Sequence, residues 1–553
     1  MHMNRAAPFL LLSVACHDGS DGAASLPAPL VTNLGVPVQE LTGEDELWLL
    51  CVSEEEAGGA DKNGDGDALD FVAHALDLRT GSVTNLGHAM TRPPFLNWHV
   101  GGGMAGFGVS EVDEGQDLNG DGDLLDQGAF LFDPTTGTAR DLGISCVAFE
   151  HLHEDFAVLL VSETDEGVDM DGDGQLFSLF SHVVELGSGT IVPLGVRSVS
   201  AALGPWIVFL RSEFDEQVDL NADGDLSDGV AHLHHLPTGT ETNLAVAVRA
   251  QVFTGGELFV VPVFEPDQGG TDLNGDGDGN DLVVHVLDPL AGALVNTGLG
   301  GSGRDGQSPA GASLGAYVLL FTNEADGRDR NLDGDTSDVL PVLYPRAGGR
   351  ILEPGVAVNP FGGGASPVGG LLAIAVSEAQ ENRDLDADGD LDDILAHTFE
   401  PALERLRNLG HPALVPLSVT ASRWIEAGSF EPNEGRDLNG DGDQDDYVPS
   451  FLDVASGRAF STRLQTSGFS VARLGDRALF VTRDPELPSF GLAYSVYDLR
   501  SRRERPLGLH SGFDGRVRSV GEERALFTVS ELYQGADLDG DGDALDDVLF
   551  LLE

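Results

Sequence analysis

The chain is almost without lysine. Of its 30 basic residues only Lys62 is Lys; the rest are Arg. Against them stand 92 Asp and Glu, a formal net charge of -62 over 553 residues. So little positive charge excludes nucleic acid and anionic lipid surfaces as partners, because binding phosphate takes clustered cations. Cysteine is limited to three residues, which excludes a disulfide framework. Aromatics are only 7%, mostly Phe. Long apolar runs are missing as well, which excludes a multi-span membrane protein. Yet 41% of residues are hydrophobic, enough for a sizeable core. The composition points to cations as partners.

Residues 1–16 read as a short export signal, with Arg5 ahead of the apolar run Ala6–Val14 and the ending Leu12-Ser13-Val14-Ala15-Cys16. This resembles a bacterial lipoprotein signal. The resemblance implies lipidation at Cys16, export to the outer membrane or cell surface, and membrane contact only through that N-terminal lipid anchor. Plain secretion is the alternative. Residues 17–27 read as a polar linker and 28–553 as one repetitive domain. Cys51 and Cys146 lie in apolar strand-like runs and are expected as buried thiols.

What the chain has in abundance is a repeat. A ten-residue acidic motif starts at Asp61, Asp117, Asp169, Asp219, Asp272, Asp329, Asp384, Asp437 and Asp537. The steps are roughly 50 to 57 residues, except a last one of about twice that, so one unit has lost its motif. In each unit an apolar run ending Val-Ser-Glu, or a variant, precedes the motif; an alternating strand, a Gly turn and a short Asn-Leu-Gly strand follow. Four short strands per unit and no sustained helical periodicity predict an all-β chain of β-propeller blades. The strand order and the Thr-Gly turns, as in Thr80-Gly81 and Thr238-Gly239, resemble the blades of TolB-like propellers. The ends of the chain favour closure. Val31-Thr32-Asn33-Leu34-Gly35 repeats the fourth-strand sequence Val83–Gly87, and the chain stops after a third strand, Val548–Leu552. The expectation is a propeller of about ten four-stranded blades closed by the N-terminal strand; two five-bladed rings or a β-solenoid are the alternatives.

The motif carries oxygen side chains at positions 1, 3, 5, 7 and 10, with Gly at 6. Hard cations such as Ca²⁺ take six to eight oxygens, and Gly at position 6 permits the sharp turn. The candidate ligands are Asp61, Asn63, Asp65, Asp67 and Asp70 in the first loop and Asp117, Asn119, Asp121, Asp123 and Asp126 in the second. The third offers Asp169, Asp171 and Asp173, with Gln175 and Ser178 in place of Asp. The fourth offers Asp219, Asn221, Asp223, Asp225 and Asp228; the fifth Asp272, Asn274, Asp276, Asp278 and Asp281. The sixth has Asp329, Asn331, Asp333, Asp335 and Asp338; the seventh Asp384, Asp386, Asp388, Asp390 and Asp393. The eighth has Asp437, Asn439, Asp441, Asp443 and Asp446; the ninth Asp537, Asp539, Asp541, Asp543 and Asp546. These loops resemble those of EF-hands, integrin FG-GAP blades and thrombospondin type 3 repeats, which implies Ca²⁺ at about nine sites. They depart from EF-hands in lacking Glu at position 12. A Glu five to seven residues ahead of each loop is the candidate to replace it: Glu54, Glu111, Glu163, Glu213, Glu265, Glu324, Glu378, Glu431 and Glu531. In the unit without a motif Arg483 stands there, so the Glu and the loop disappear together. An all-oxygen donor set disfavours Zn²⁺ and Cu²⁺.

Other features read as structural. His74, His182, His232, His285 and His397 recur on the third strand, where other units have Phe130, Val342, Ser450 or Phe550, so core packing is expected. Arg473, Arg477, Arg483, Arg500, Arg502, Arg503, Arg505, Arg516, Arg518 and Arg524 gather late in the chain. Compensation of acidic neighbours is the first reading of this cluster; a patch for an anionic protein or glycan ligand is the second. One Gly-x-Ser-x-Gly match, residues 311–315, precedes a strand where a nucleophile elbow needs a helix, so it reads as a turn. The functional expectation is an exported calcium-binding propeller acting as a binding or scaffold module at the cell surface. The alternative is a calcium-dependent enzyme on polysaccharide or phosphate ester, with its site at the central channel.

Overall fold

The computed structural model describes residues 29–553 apart from 94–96, 250, 302–311, 325–326, 359–363, 388, 413–417, 420–422, 432–436, 441, 465, 467–470, 484–491 and 513–514. The expected signal (1–16), the linker (17–27), Asp388, Asp441 and the Arg483 side chain lie outside the described residues. The chain divides into two compact units, one of Met1–Arg197 with Gln465–Glu553 and one of Ser198–Leu464.

Both units are built from propeller-type blades, each an antiparallel meander of up to four strands. In the first blade Glu40–Glu44, Leu47–Ser53, Phe71–Asp77 and Ser82–Met90 pair in sequence order. One pair, Met90 with Val109, joins this blade to the next, Trp98–Gly101 through Thr138–Ser145. Five blades fall in each unit. The sixth blade has three strands, and single bridges at Leu352 and Val358 stand where its fourth would run. A β-solenoid is not what forms: strands pair within a blade.

The second strand of a blade is mostly buried, throughout in Leu47–Ser53, while the fourth is mostly polar and exposed, as in Thr240–Ala247. An inner strand is covered on both faces by neighbouring blades, so it reads as a continuous apolar run. Each core cluster mixes two consecutive blades. Phe107 and Val109 of the second pack with Leu49 and Ala73 of the first. In the other unit Val260 and Val286 pack with Leu320 and Val342.

The N-terminal strand Val31–Pro37 pairs antiparallel with the C-terminal strand Asp547–Leu552 and completes the last blade. Its Asn33 takes over a fourth-strand role. Elsewhere the Asn of Asn-Leu-Gly donates from Nδ2 to the carbonyl at loop position 2, as Asn85 does to Lys62 and Asn408 to Leu385. Asn33 makes the same bond to Leu538, 2.7 Å, across the whole length of the chain. The completed last blade shares a core with the first, where Leu526 and Leu549 meet Leu50 and Leu76.

One element escaped the periodicity argument. A single helical turn follows the second strand in several blades, as at Glu111–Glu114, Glu163–Glu166 and Glu213–Glu216. Its signal is local: Ser110, Ser162 and Ser212 cap the turn by accepting the N–H three residues on, and acids fill the first turn.

Candidate metal centres

Each acidic loop joins the second and third strands of its blade, and the pre-loop Glu ties its base. In all nine blades the Glu N–H donates to the carbonyl at loop position 10, at 2.8–3.1 Å, as Glu111 does to Asp126. The side chain turns back into the loop. Oε1 accepts the N–H of position 2 in every case: 2.6 Å from Leu118 to Glu111, 2.7 Å from Met170 to Glu163, 2.6 Å from Leu273 to Glu265. Lys62, Leu220, Arg330, Leu385, Leu438 and Leu538 donate in the same way to Glu54, Glu213, Glu324, Glu378, Glu431 and Glu531.

All nine Glu side chains are fully buried. In Glu54, Glu163 and Glu265 the second oxygen accepts the N–H of position 10, at 3.2, 2.9 and 2.9 Å. In Glu111, Glu213, Glu324 and Glu378 it has no hydrogen-bond partner. A buried, unpartnered carboxylate oxygen is costly, and a cation beside it removes that cost. The carboxylate stands among other acids. Ligand atoms of Glu111, Asp123 and Asp126 lie within 4.8 Å of one another, as do those of Glu213, Asp223, Asp225 and Asp228, and those of Glu54, Asp67 and Asp70. Glu163 gathers instead with Asp169 and Asp171. These clusters could hold a metal ion.

The loop shapes itself through its own carboxylates. Asp117 accepts from the N–H of Gly120 at 2.6 Å and of Gly122 at 3.2 Å, Asp121 from Asp123 at 3.0 Å, and Asp123 from Leu125 at 2.8 Å. The same ladder recurs in the other loops, as at Asp219, Asp223 and Asp225. Position 6 has φ near 104–110° in eight loops, beyond where a Cβ is tolerated, and is Gly in all of them. Position 4 is left-handed too but closer to the ordinary αL region, and Ala222, Leu332 and Ala387 occupy it at φ 64–71°.

The position-10 carboxylate is the most perturbed. Burial, reinforced by neighbouring acids, pushes Asp126 and Asp338 up to about 7, Asp546 to about 8, and Asp70, Asp228 and Asp281 to about 6. Asn at position 3 moderates this by donating to it: Asn274 to Asp281 at 2.8 Å, Asn331 to Asp338 at 2.9 Å, Asn63 to Asp70 at 3.0 Å. Where position 3 is Asp539, that residue is itself pushed up to about 6 by burial.

The remaining candidates are structural. His74, His182, His285 and His397 are buried, and each Nδ1 meets the carbonyl two residues back. Burial lowers His74 to about 4, so it packs as a neutral ring. Cys51 and Cys146 are free and buried. Arg524 pairs with Glu46 at 2.7 Å, Arg516 with Glu40 at 3.4 Å, and Arg500 with Asp476, which is charge compensation between neighbours. Ser313 lies on a two-residue strand against Arg346, ahead of the turn at Gly315 and the strand Tyr317–Asn323, without a helix after it.

No protein-family model and no curated protein matches the chain. Among solved structures it is similar to the tricorn protease (9% identity, 90% of this chain and 47% of that one, TM-score 0.24). A second is Porphyromonas gingivalis dipeptidyl peptidase 4 (11%, 79% and 64%, TM-score 0.34), and a third TolB from Acinetobacter baumannii (10%, 63% and 79%, TM-score 0.21). The chain thus spans less than two thirds of the first two. None of these likenesses bears on activity.

Proposed function

We propose that the protein is an exported, calcium-loaded β-propeller that serves as a binding or scaffold module at the cell surface. The observation that carries this reading is the ninefold recurrence of a fully buried Glu ahead of its loop, gathered with the loop acids at Glu54, Glu111, Glu163, Glu213 and Glu265, with Oε2 unpartnered in four blades. The donors are all oxygen, the set a hard cation prefers. About 37 of the 92 acids sit at loop positions 1, 3, 5, 7 and 10, so holding cations accounts for much of the charge excess. In this reading Ca²⁺ supplies charge neutralisation and rigidity, and Cys16 supplies the anchor. Equilibrium dialysis of the purified chain against millimolar calcium tests the metal: about nine ions per chain are expected, and none would overturn the reading. Fractionation of expressing cells tests the anchor, since Cys16→Ser should move the protein out of the membrane fraction.

A further inference from the structure

The loops do not stop at their own blade. Asn119 Nδ2 donates to the carbonyl of Asp165, which lies on the helical turn of the following blade. Asn63 does the same to Asp113 at 3.5 Å, and Asn221 to Asp267 at 2.8 Å. A Cβ on Gly269, which ends the turn of the fifth blade, would lie 3.5 Å from the Asp223 Cβ of the fourth, so the turn is docked tightly on the loop. Farther along, a side chain from the following turn reaches the loop carboxylates directly: Asn382 Nδ2 donates to Asp333 Oδ2 at 3.1 Å and to Asp335 Oδ2 at 3.2 Å.

In each case the residue that meets the loop is an acid: Asp165 for the second loop, Asp113 for the first and Asp267 for the fourth. Three loops therefore have an acid of the following blade hydrogen-bonded through its carbonyl to position 3. In two of these loops the buried pre-loop oxygen, Glu111 Oε2 or Glu213 Oε2, is unpartnered. Six to eight oxygens complete a calcium shell, and a loop with its Glu supplies about six.

Resting on the calcium reading above, we propose that each such ion is shared between two blades, with Asp165 of the third blade completing the shell built by Glu111 and the loop Asp117–Asp126 of the second. The ions then clamp blade to blade, and calcium stabilises the junctions as well as the loops. Asp113 plays the same part for the first loop, whereas the Asp267 carboxylate is taken up by Arg249.

The experiment uses the full chain and calcium alone. Asp165→Asn keeps the N–H that Ser162 caps, so the turn survives. Calorimetric titration and site occupancies at limiting calcium are read for wild type, D165N, E111Q and the double variant. The expectation is that D165N weakens the second-loop site at least tenfold and leaves the third-loop site unchanged. E111Q should weaken the same ion, and the double variant should lack one ion, not two. Unchanged occupancy of the second loop in D165N, or two ions lost in the double variant, overturns sharing while leaving calcium binding intact. A wild-type chain that takes up no calcium overturns both readings. D113N, read at the first-loop site, provides the same test should D165N fail to fold.

Discussion

Removing calcium should cost this protein a large part of its stability. Four loops lie in the unit that carries both termini and five in Ser198–Leu464. Loops of this kind outside the cell bind with Kd of about 10⁻⁴–10⁻³ M. At 1 mM calcium and the tighter limit, binding to the native state alone adds about 1.4 kcal/mol per site. Summed, that is about 6 kcal/mol for the first unit and about 7 kcal/mol for the second, against a typical domain stability of about 5–15 kcal/mol. A shift of about 2–4 °C per kcal/mol, usual for large domains, then gives an expected rise in Tm of about 12–28 °C. The perturbation is chelation, and the assay is scanning calorimetry at pH 7.5 in 1 mM calcium and in excess chelator. The fully buried Glu residues make a strong effect necessary, because in the metal-free state nine carboxylates sit out of water beside other acids. Midpoints that agree to within about 2 °C would refute the reasoning.

Two further outcomes follow from the loop geometry. Asp126, Asp338 and Asp546 stand at about 7, 7 and 8 against an ordinary value near 4. A raised native pKa stabilises below the unfolded value and is lost as pH rises through the native one, so metal-free protein should lose stability from about pH 4 to pH 8. Calcium must expel those protons, so its increment in Tm should be larger at pH 8 than at pH 5, and adding it at pH 6 should release protons; equal increments at both pH values would contradict this. Gly122→Ala forces a Cβ at φ 104° and should cost about 1–3 kcal/mol, lowering the Tm of the calcium-loaded protein and losing one ion, whereas Ala at the position-4 Gly120 should cost less, since Ala222 already stands at that place in another loop.

The fold class and the loops were legible because the signals repeat. A period near 50 residues and the identical Val-Thr-Asn-Leu-Gly at 31–35 and 83–87 marked the blade and the N-terminal strand that completes the last one. The helical turns at Glu111–Glu114 and its counterparts were missed because four residues carry no periodicity; only Ser followed by acids announces them. The pre-loop Glu was found by comparing units, but not its manner of working. That Oε1 holds the loop backbone, while Oε2 meets the position-10 N–H in some blades and is left unpartnered in four, depends on the third dimension. The placement of Asp165 against a loop about forty residues earlier was invisible for the same reason: its own blade gives it no role.

The loops differ in charge, and the difference should rank their affinities. The standard loop pairs Asn at position 3 with Asp at position 10 and, with its Glu, presents five acids. The seventh and ninth have Asp at both places, Asp386 with Asp393 and Asp539 with Asp546, and present six. The third has Asp171 with Ser178 and Gln175 at position 7, and presents four. Its position-6 Gly174 has φ 85° in place of 104–110°, yet its hydrogen bonds are kept. Glu163 still accepts from Met170 at 2.7 Å and Ser178 at 2.9 Å, Gln175 N–H still meets Asp173 at 2.7 Å, and Ser178 Oγ reaches Asp171 at 3.3 Å in place of the Asn–Asp bond. Charge is thus varied on a nearly constant scaffold. Two unit charges 4 Å apart interact by about 1 kcal/mol even in bulk water, and a divalent ion doubles that. One carboxylate more or fewer should therefore change affinity by at least about tenfold. The third loop should fill last in a calcium titration and Gln175→Asp should bring it into line with the standard loops, because position 7 is exposed and its N–H already meets Asp173 as in the other loops. If Gln175→Asp leaves the weakest site as weak as before, charge does not set the ranking.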